Sequence, residues 1–80
     1  MRDGALRRIG VIGAGAWGTA LARVMAMEGR DVKLWARDPN LAAEMRRLGE
    51  NRRRLPGLTL GPNIAPTDDL AAVADFAPSS

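Results

Sequence analysis

An α/β fold built on a parallel sheet is predicted by three features of this 80-residue sequence. From Arg8 to Ile12 the apolar residues are continuous rather than alternating, as expected of a strand covered on both faces. It passes through Gly13-Ala14-Gly15-Ala16-Trp17-Gly18 directly into a helical pattern. A second strand pattern, Val32 to Ala36, follows that helix after a short turn. Crossovers of this strand–helix–strand kind are right-handed in nearly all cases, which makes the two strands parallel.

The elements follow in order. Met1 to Arg7 reads as a loose leader. Ala16 to Glu28 reads as a helix in which Trp17, Leu21 and Val24 fall at i, i+4 and i+7. Ala20 and Met25 lie alongside, giving one apolar stripe. Gly29 ends this helix at a position where a left-handed cap is easiest for glycine. Asp38 and Pro39 then open a second helix, as N-cap and first helical residue. Leu41, Met45 and Leu48 give it its period, and Gly49 closes it. Glu50 to Asn63 has no period and holds Pro56, Gly57, Gly61 and Pro62, so it reads as a loop. Ile64-Ala65 reads as a very short third strand. Thr67 with Asp68-Asp69 opens a third helix through Leu70, Ala71, Val73 and Ala74. Asp75-Phe76-Ala77 reads as the opening of a further strand, before Pro78-Ser79-Ser80. The βαβαβα order predicts a partial Rossmann fold, a doubly wound parallel sheet truncated before the sheet is complete. Residues 1–80 are then the N-terminal part of a dinucleotide-binding domain, since a complete one takes about 150 residues.

Composition narrows the function classes. The sequence has no cysteine and no histidine. That removes disulfides, thiol chemistry, Cys/His zinc sites and histidine acid–base catalysis, and it suits a cytoplasmic protein. No apolar run approaches the roughly 20 residues of a membrane span, and the N-terminus lacks a signal-peptide core. The formal net charge is +3, with 12 Lys and Arg against 9 Asp and Glu. A basic balance suits an anionic cofactor, a phosphorylated substrate or nucleic acid. Nucleic acid is disfavoured, because no aromatic residues are interleaved for base stacking and no binding signature is present.

The glycines carry the binding hypothesis. Gly13 allows a tight turn, Gly15 allows backbone to approach a pyrophosphate, and Gly18 allows the helix to pack closely on the strand. The first helical turn offers free N–H groups and the positive end of its dipole to phosphates. The alternative is a glycine-rich turn with no ligand. Trp17 lies either against a cofactor or in the core. Arg37 stands at the end of the second strand, where an NAD-selective site usually has Asp or Glu for the ribose hydroxyls. A guanidinium there can hold a 2′-phosphate, so NADP is expected to be accepted alongside NAD. The alternative is an exposed charge paired with Asp38 or with solvent. Asp38 itself reads as a helix cap rather than a ribose ligand. Arg46-Arg47 and Arg52-Arg53-Arg54 read as a solvated helix end and loop rather than an anion site. No general acid or base stands out. Asp31, Asp68, Asp69 and Asp75 fall at turns or caps, Lys33 is expected to face solvent, and no metal-ligand spacing occurs.

Gly13-Ala14-Gly15-Ala16-Trp17-Gly18-Thr19-Ala20-Leu21-Ala22 resembles the fingerprint of the bacterial NAD(P)-dependent glycerol-3-phosphate dehydrogenases. Val32 to Arg37 resembles that family's second strand, which ends in Trp-x-Arg or Trp-x-His. Asn51-Arg52-Arg53-Arg54-Leu55-Pro56-Gly57, continuing to Asn63-Ile64, resembles its Asn-x-x-x-Leu-Pro-Gly loop. Arg54 departs from the aromatic residue common there, and Gly61 from proline; both bear on loop packing. The resemblance implies a Rossmann domain followed by a helical substrate domain. It also implies hydride transfer between NAD(P)H and dihydroxyacetone phosphate, giving sn-glycerol 3-phosphate for phospholipid synthesis. By position, Ala16, Trp17 and Arg37 match cofactor contacts and the glycine turn matches the pyrophosphate site. The family's catalytic lysines and substrate site lie further along, so the chain alone is expected to be inactive, and homodimerisation of the full-length enzyme is left open. Rival readings are a non-catalytic dinucleotide-binding module, another Rossmann dehydrogenase such as ketopantoate reductase, and a basic polyanion-binding fragment.

Overall fold

Three parallel strands form one sheet in the order β1 (Arg8–Ile12), β2 (Asp31–Trp35), β3 (Ile64–Thr67). The structure, a computed structural model, describes residues 8–76; the leader Met1 to Arg7 and the terminal Pro78 to Ser80 lie outside them. Helices α1 (Ala16–Met27), α2 (Pro39–Leu48) and α3 (Leu70–Phe76) follow the strands in turn, which is the expected βαβαβα order. Ile12 is in register with Trp35, and Trp35 with Thr67. The carboxyl ends of the strands therefore share one edge of the sheet.

The pleat separates the two faces. Val32 and Leu34 are buried in one cluster with Ala22 of α1 and with Leu41, Ala42 and Met45 of α2. Lys33 has the opposite parity in β2, and its Nζ lies 5.2 Å from the ring centroid of Phe76 in α3. So α1 and α2 cover one face and α3 the other. Two successive right-handed crossovers in one direction place their helices on the same face, as observed. The contact also corrects two expectations. Lys33 is half-buried rather than solvent-facing, with its cation over an aromatic face. Asp75 and Phe76 end α3 rather than opening a strand, while Ala77 lies outside the described residues. One further helical turn brings Phe76 to the same side as the buried Val73 at i, i+3, where its ring meets Lys33 and Arg8.

The apolar stripe of α1 points away from the core. Trp17 is 79% exposed and Val24 51% exposed, and together with Ala20 and Leu21 they line an open apolar concavity. The buried residues of α1 are Thr19 and Ala22, with Met25 and Ala26 packed against the core. The physical cause is proximity. Gly18, Ala22 and Ala26 recur every four residues, and their small side chains let the helix approach the sheet. Large side chains are displaced to the outer face. Trp17 is therefore not a core residue.

Local chemistry sets the other boundaries. The Asp38 carboxylate accepts the Asn40 N–H at 2.9 Å, Pro39 follows at the first helical position, and Gly49 closes α2 in the left-handed region at φ 66°. Asp69 caps α3, accepting from the N–H groups of Ala71 and Ala72. β3 runs two residues past Ala65 and includes Pro66. A proline is tolerated because β3 is an edge of the described sheet, and the Pro66 carbonyl accepts from the Arg46 guanidinium at 3.0 Å. β2 starts at Asp31 and ends at Trp35, one residue earlier than expected; Ala36 lies just beyond, its N–H donating to the Thr67 carbonyl at 2.8 Å.

The inverted face of α1 is testable by two substitutions. Ala22→Leu adds volume where the side chain is fully buried and should lower stability by about 1–3 kcal/mol. Val24→Ala, on the outer face, should change it by no more than about 0.5 kcal/mol. Urea-unfolding midpoints of the two variants measure the contrast.

Candidate functional site

The turn between β1 and α1 is built from three glycines with three different reasons. Gly13 leaves the strand at φ 112°, which L side chains rarely adopt. Its N–H donates to the Trp35 carbonyl at 3.0 Å, tying the turn to the end of β2. Gly15 is the N-cap at φ −75°, ψ −176°, a conformation any residue can take. A Cβ there would meet nothing within 4 Å, so the outer side of Gly15 is open. Gly18 is the reverse case. A Cβ on it would overlap the Gly13 carbonyl oxygen, with the carbonyl carbon at 3.1 Å and Val11 Cγ1 at 3.5 Å. Helix and strand meet at that point.

The first bond of α1 runs from the Thr19 N–H to the Gly15 carbonyl, at 2.9 Å. The N–H groups of Ala16, Trp17 and Gly18 precede it and have no partner within the helix. Gly15 supplies no capping side chain, and the first turn holds no acidic residue. The positive end of the helix is thus open at the carboxyl edge of the sheet, which is the chemistry a pyrophosphate requires. These residues fit a dinucleotide.

Arg37 lies two residues beyond Trp35 on the same edge. It is exposed and makes no ion pair among the described residues. It does not pair with Asp38 and faces solvent instead. Asp38 caps α2 and pairs with Arg53 Nη1 at 3.3 Å, while Arg53 Nε bonds Glu44 at 2.9 Å. Asp38 is therefore a cap. Arg52 lies 3.8 Å from Glu50. Most of this basic segment is engaged with the chain's own carboxylates and carbonyls, consistent with a structural reading. Among the described residues no group of acidic side chains could hold a metal ion.

One residue reaches this turn from far along the chain. Asn51, in the loop after α2, is fully buried. Its Nδ2 donates to the Ala14 carbonyl at 2.8 Å and to Thr19 Oγ1 at 2.8 Å, and its Oδ1 accepts the Arg54 N–H at 3.3 Å. The loop is folded back around it: Glu50 and Thr59 form an antiparallel bridge, and Glu50 Oε2 accepts the Gly57 N–H. Sequence reasoning singled out Asn51 only within a loop resemblance. A single polar residue in an aperiodic loop carries no burial signal of its own.

A parallel βαβ unit with this turn and this open helix end defines the Rossmann class of nucleotide-binding folds. Within it, the family described as NAD-dependent glycerol-3-phosphate dehydrogenase N-terminus matches residues 8–78, and the chain belongs to that family. Glycerol-3-phosphate dehydrogenase (NAD(P)+) of Azorhizobium caulinodans is 59% identical over 70 residues, covering 88% of this chain and 21% of the relative. The Moorella thermoacetica enzyme of the same name is 55% identical over 64 residues, covering 80% of this chain and 19% of the relative. The crystal structure of glycerol-3-phosphate dehydrogenase from Coxiella burnetii superposes with a TM-score of 0.84 at 37% identity, over 89% of this chain and 22% of that one. The Plasmodium falciparum enzyme gives 0.79 at 28% identity, over 88% and 22%. The chain spans about a fifth of the length of the curated relatives it matches.

The different roles of the glycines predict different costs. Gly18→Ala must displace backbone and should lower stability by about 1–3 kcal/mol. Gly15→Ala meets open space and should stay within about 0.5 kcal/mol of the parent. Thermal unfolding of both variants decides between them.

Proposed function

We propose that this chain is the dinucleotide-binding, N-terminal part of a glycerol-3-phosphate dehydrogenase that interconverts sn-glycerol 3-phosphate and dihydroxyacetone phosphate. The observation that carries the reading is the open end of α1 at the carboxyl edge of the sheet, with Arg37, which has no ion pair among the described residues, on the same edge. Gly13 and Gly15 shape the approach, and the N–H groups of Ala16, Trp17 and Gly18 receive the pyrophosphate oxygens. Trp17 gives an apolar surface beside them, a role its exposure supports. Arg37 binds the adenosine end and accepts a 2′-phosphate, so that both NADP and NAD are used. When bound, the dinucleotide carries the hydride; this chain binds and orients it.

The names of the relatives, glycerol-3-phosphate dehydrogenase (NAD(P)+), support the substrate and cofactor assignment. The catalytic groups and the clamp for the phosphorylated substrate belong to a helical substrate domain outside this chain, so the chain alone is inactive. Homodimerisation is a property to be sought in the full-length enzyme. The protein is cytoplasmic on this reading; among the described residues no helix is long and apolar enough to cross a membrane.

Calorimetric titration with NADPH and with NADH tests the proposal. Saturable binding of both is expected. Gly15→Val is compatible with the backbone at Gly15 yet puts a branched side chain where the pyrophosphate must approach, so binding should be lost with helix content retained. Arg37→Asp removes a charge-assisted contact worth about 1.5–3 kcal/mol and should weaken NADPH roughly tenfold or more while sparing NADH. An unchanged NADPH/NADH ratio would remove Arg37 from the site.

A further inference from the structure

The turn that meets the cofactor has a weakness that its glycines create. Gly13 gives the backbone the shape it needs and Gly15 leaves its outer side open, and glycine also has the most conformational freedom to lose on ordering. A binding site gains affinity when such freedom is removed before the ligand arrives. Something outside the turn must therefore hold it. The polar groups of the turn show what does so.

Asn51 commits its whole side-chain amide to this region. Both Nδ2 protons are donated, one to the Ala14 carbonyl between Gly13 and Gly15, the other to Thr19 Oγ1 just past Gly18. The two acceptors bracket the N–H groups of Ala16, Trp17 and Gly18. Asn51 and Thr19 are each fully shielded from solvent, so these bonds do not compete with water, and losing either one strands a buried polar group. The remaining oxygen, Oδ1, accepts from Arg54, and the Leu55 N–H bonds the Asn51 carbonyl at 2.8 Å, which fixes the donor in turn. The Asn51 loop itself is pinned at both sides, since Leu60 donates to Gly49 at 2.7 Å and Gly57 to Glu50 at 2.9 Å.

We propose that Asn51 is a positioning residue of the dinucleotide site, acting through the Ala14 carbonyl and the Thr19 hydroxyl to hold the glycine turn in its binding shape. The inference rests on the cofactor reading above and assigns a role in it to the Asn51–Gly57 loop. Asn51 is fully shielded from solvent, so its action on the site runs through the turn. It sets the direction of the Ala14 peptide, and through that the aim of the open N–H groups.

The test separates this role from ordinary loop anchoring by comparison with Asn63. Asn63 Nδ2 makes two bonds of the same kind at the opposite end of α1, to the Ala26 and Arg30 carbonyls. Amide hydrogen exchange is measured on the chain at Gly13 and Thr19, whose N–H groups flank the turn, and at Ala36 as a reference. Asn51→Ala should speed exchange at Gly13 and Thr19 roughly tenfold relative to Ala36 and weaken NADPH binding about tenfold among folded molecules. Asn63→Ala should leave both ratios within about twofold of the parent. Thr19→Val should reproduce the Asn51→Ala effect in part and Thr19→Ser should restore it, which keeps the test decisive should Asn51→Ala not fold. Exchange at Gly13 and Thr19 that moves only in step with Ala36, or NADPH affinity unchanged in Asn51→Ala, would overturn the proposal. Failure of the parent chain to bind NADPH would instead count against the cofactor reading, and the exchange ratios would still decide whether Asn51 holds the turn.

Discussion

The contact of Gly18 with the Gly13 carbonyl is the constraint on which the rest of the structure depends. It brings the first turn of α1 onto the end of β1 at a separation no side chain allows. From that point the helix can only continue close to the sheet, so its inner face must be small, and Ala22 and Ala26 satisfy this. The large residues Trp17, Leu21 and Val24 are left on the outer side. The same contact aims the open N–H groups at the edge where the strands end. Fold and site are thus two consequences of one approach distance.

A close contact of this kind needs lateral support, and the loop from Glu50 to Asn63 supplies it. Its two asparagines hold opposite ends of α1, Asn51 at the Ala14–Thr19 end and Asn63 at the Ala26–Arg30 end. Side-chain amides suit this work. Each offers two donors in a fixed plane and can satisfy two orphan carbonyls or hydroxyls without introducing charge into a buried place. The arginines of the same loop lie outward, where Arg53 joins the N-terminus of α2 to its middle through Asp38 and Glu44. Exposed pairs of this kind contribute little to stability.

Much of this was legible in the sequence because it is local. Caps at Asp38 and Gly49, the turn at Gly13 and the parallel order follow from backbone chemistry over a few residues. What was not legible depends on contacts between distant segments. The stripe on α1 obeys the usual spacing, yet the rule that an apolar stripe faces the core fails when a helix packs through glycine and alanine. β3 looked cut short at Pro66, because the tolerance of proline follows from a place at the sheet edge and not from the residue itself. α3 looked complete before Phe76, whose aromatic ring finds cations on β1 and β2. Asn51 had no periodic pattern to mark it as buried. For the candidate site, the glycine spacing marks the turn between β1 and α1, whereas the exposure of Trp17 and Arg37 depends on how α1 and the end of β2 pack and is not encoded in local spacing.

The central claim is that the open N–H groups at the start of α1 receive a dinucleotide. Amide chemical-shift mapping of the isotopically labelled chain during NADPH addition tests it most directly. The account predicts saturable shifts largest at Ala16, Trp17 and Gly18, with Arg37 among the next most affected, and little change at the far end of α1. Shifts centred elsewhere, such as on the Arg52–Arg54 segment, or no saturable shift at all, would contradict it.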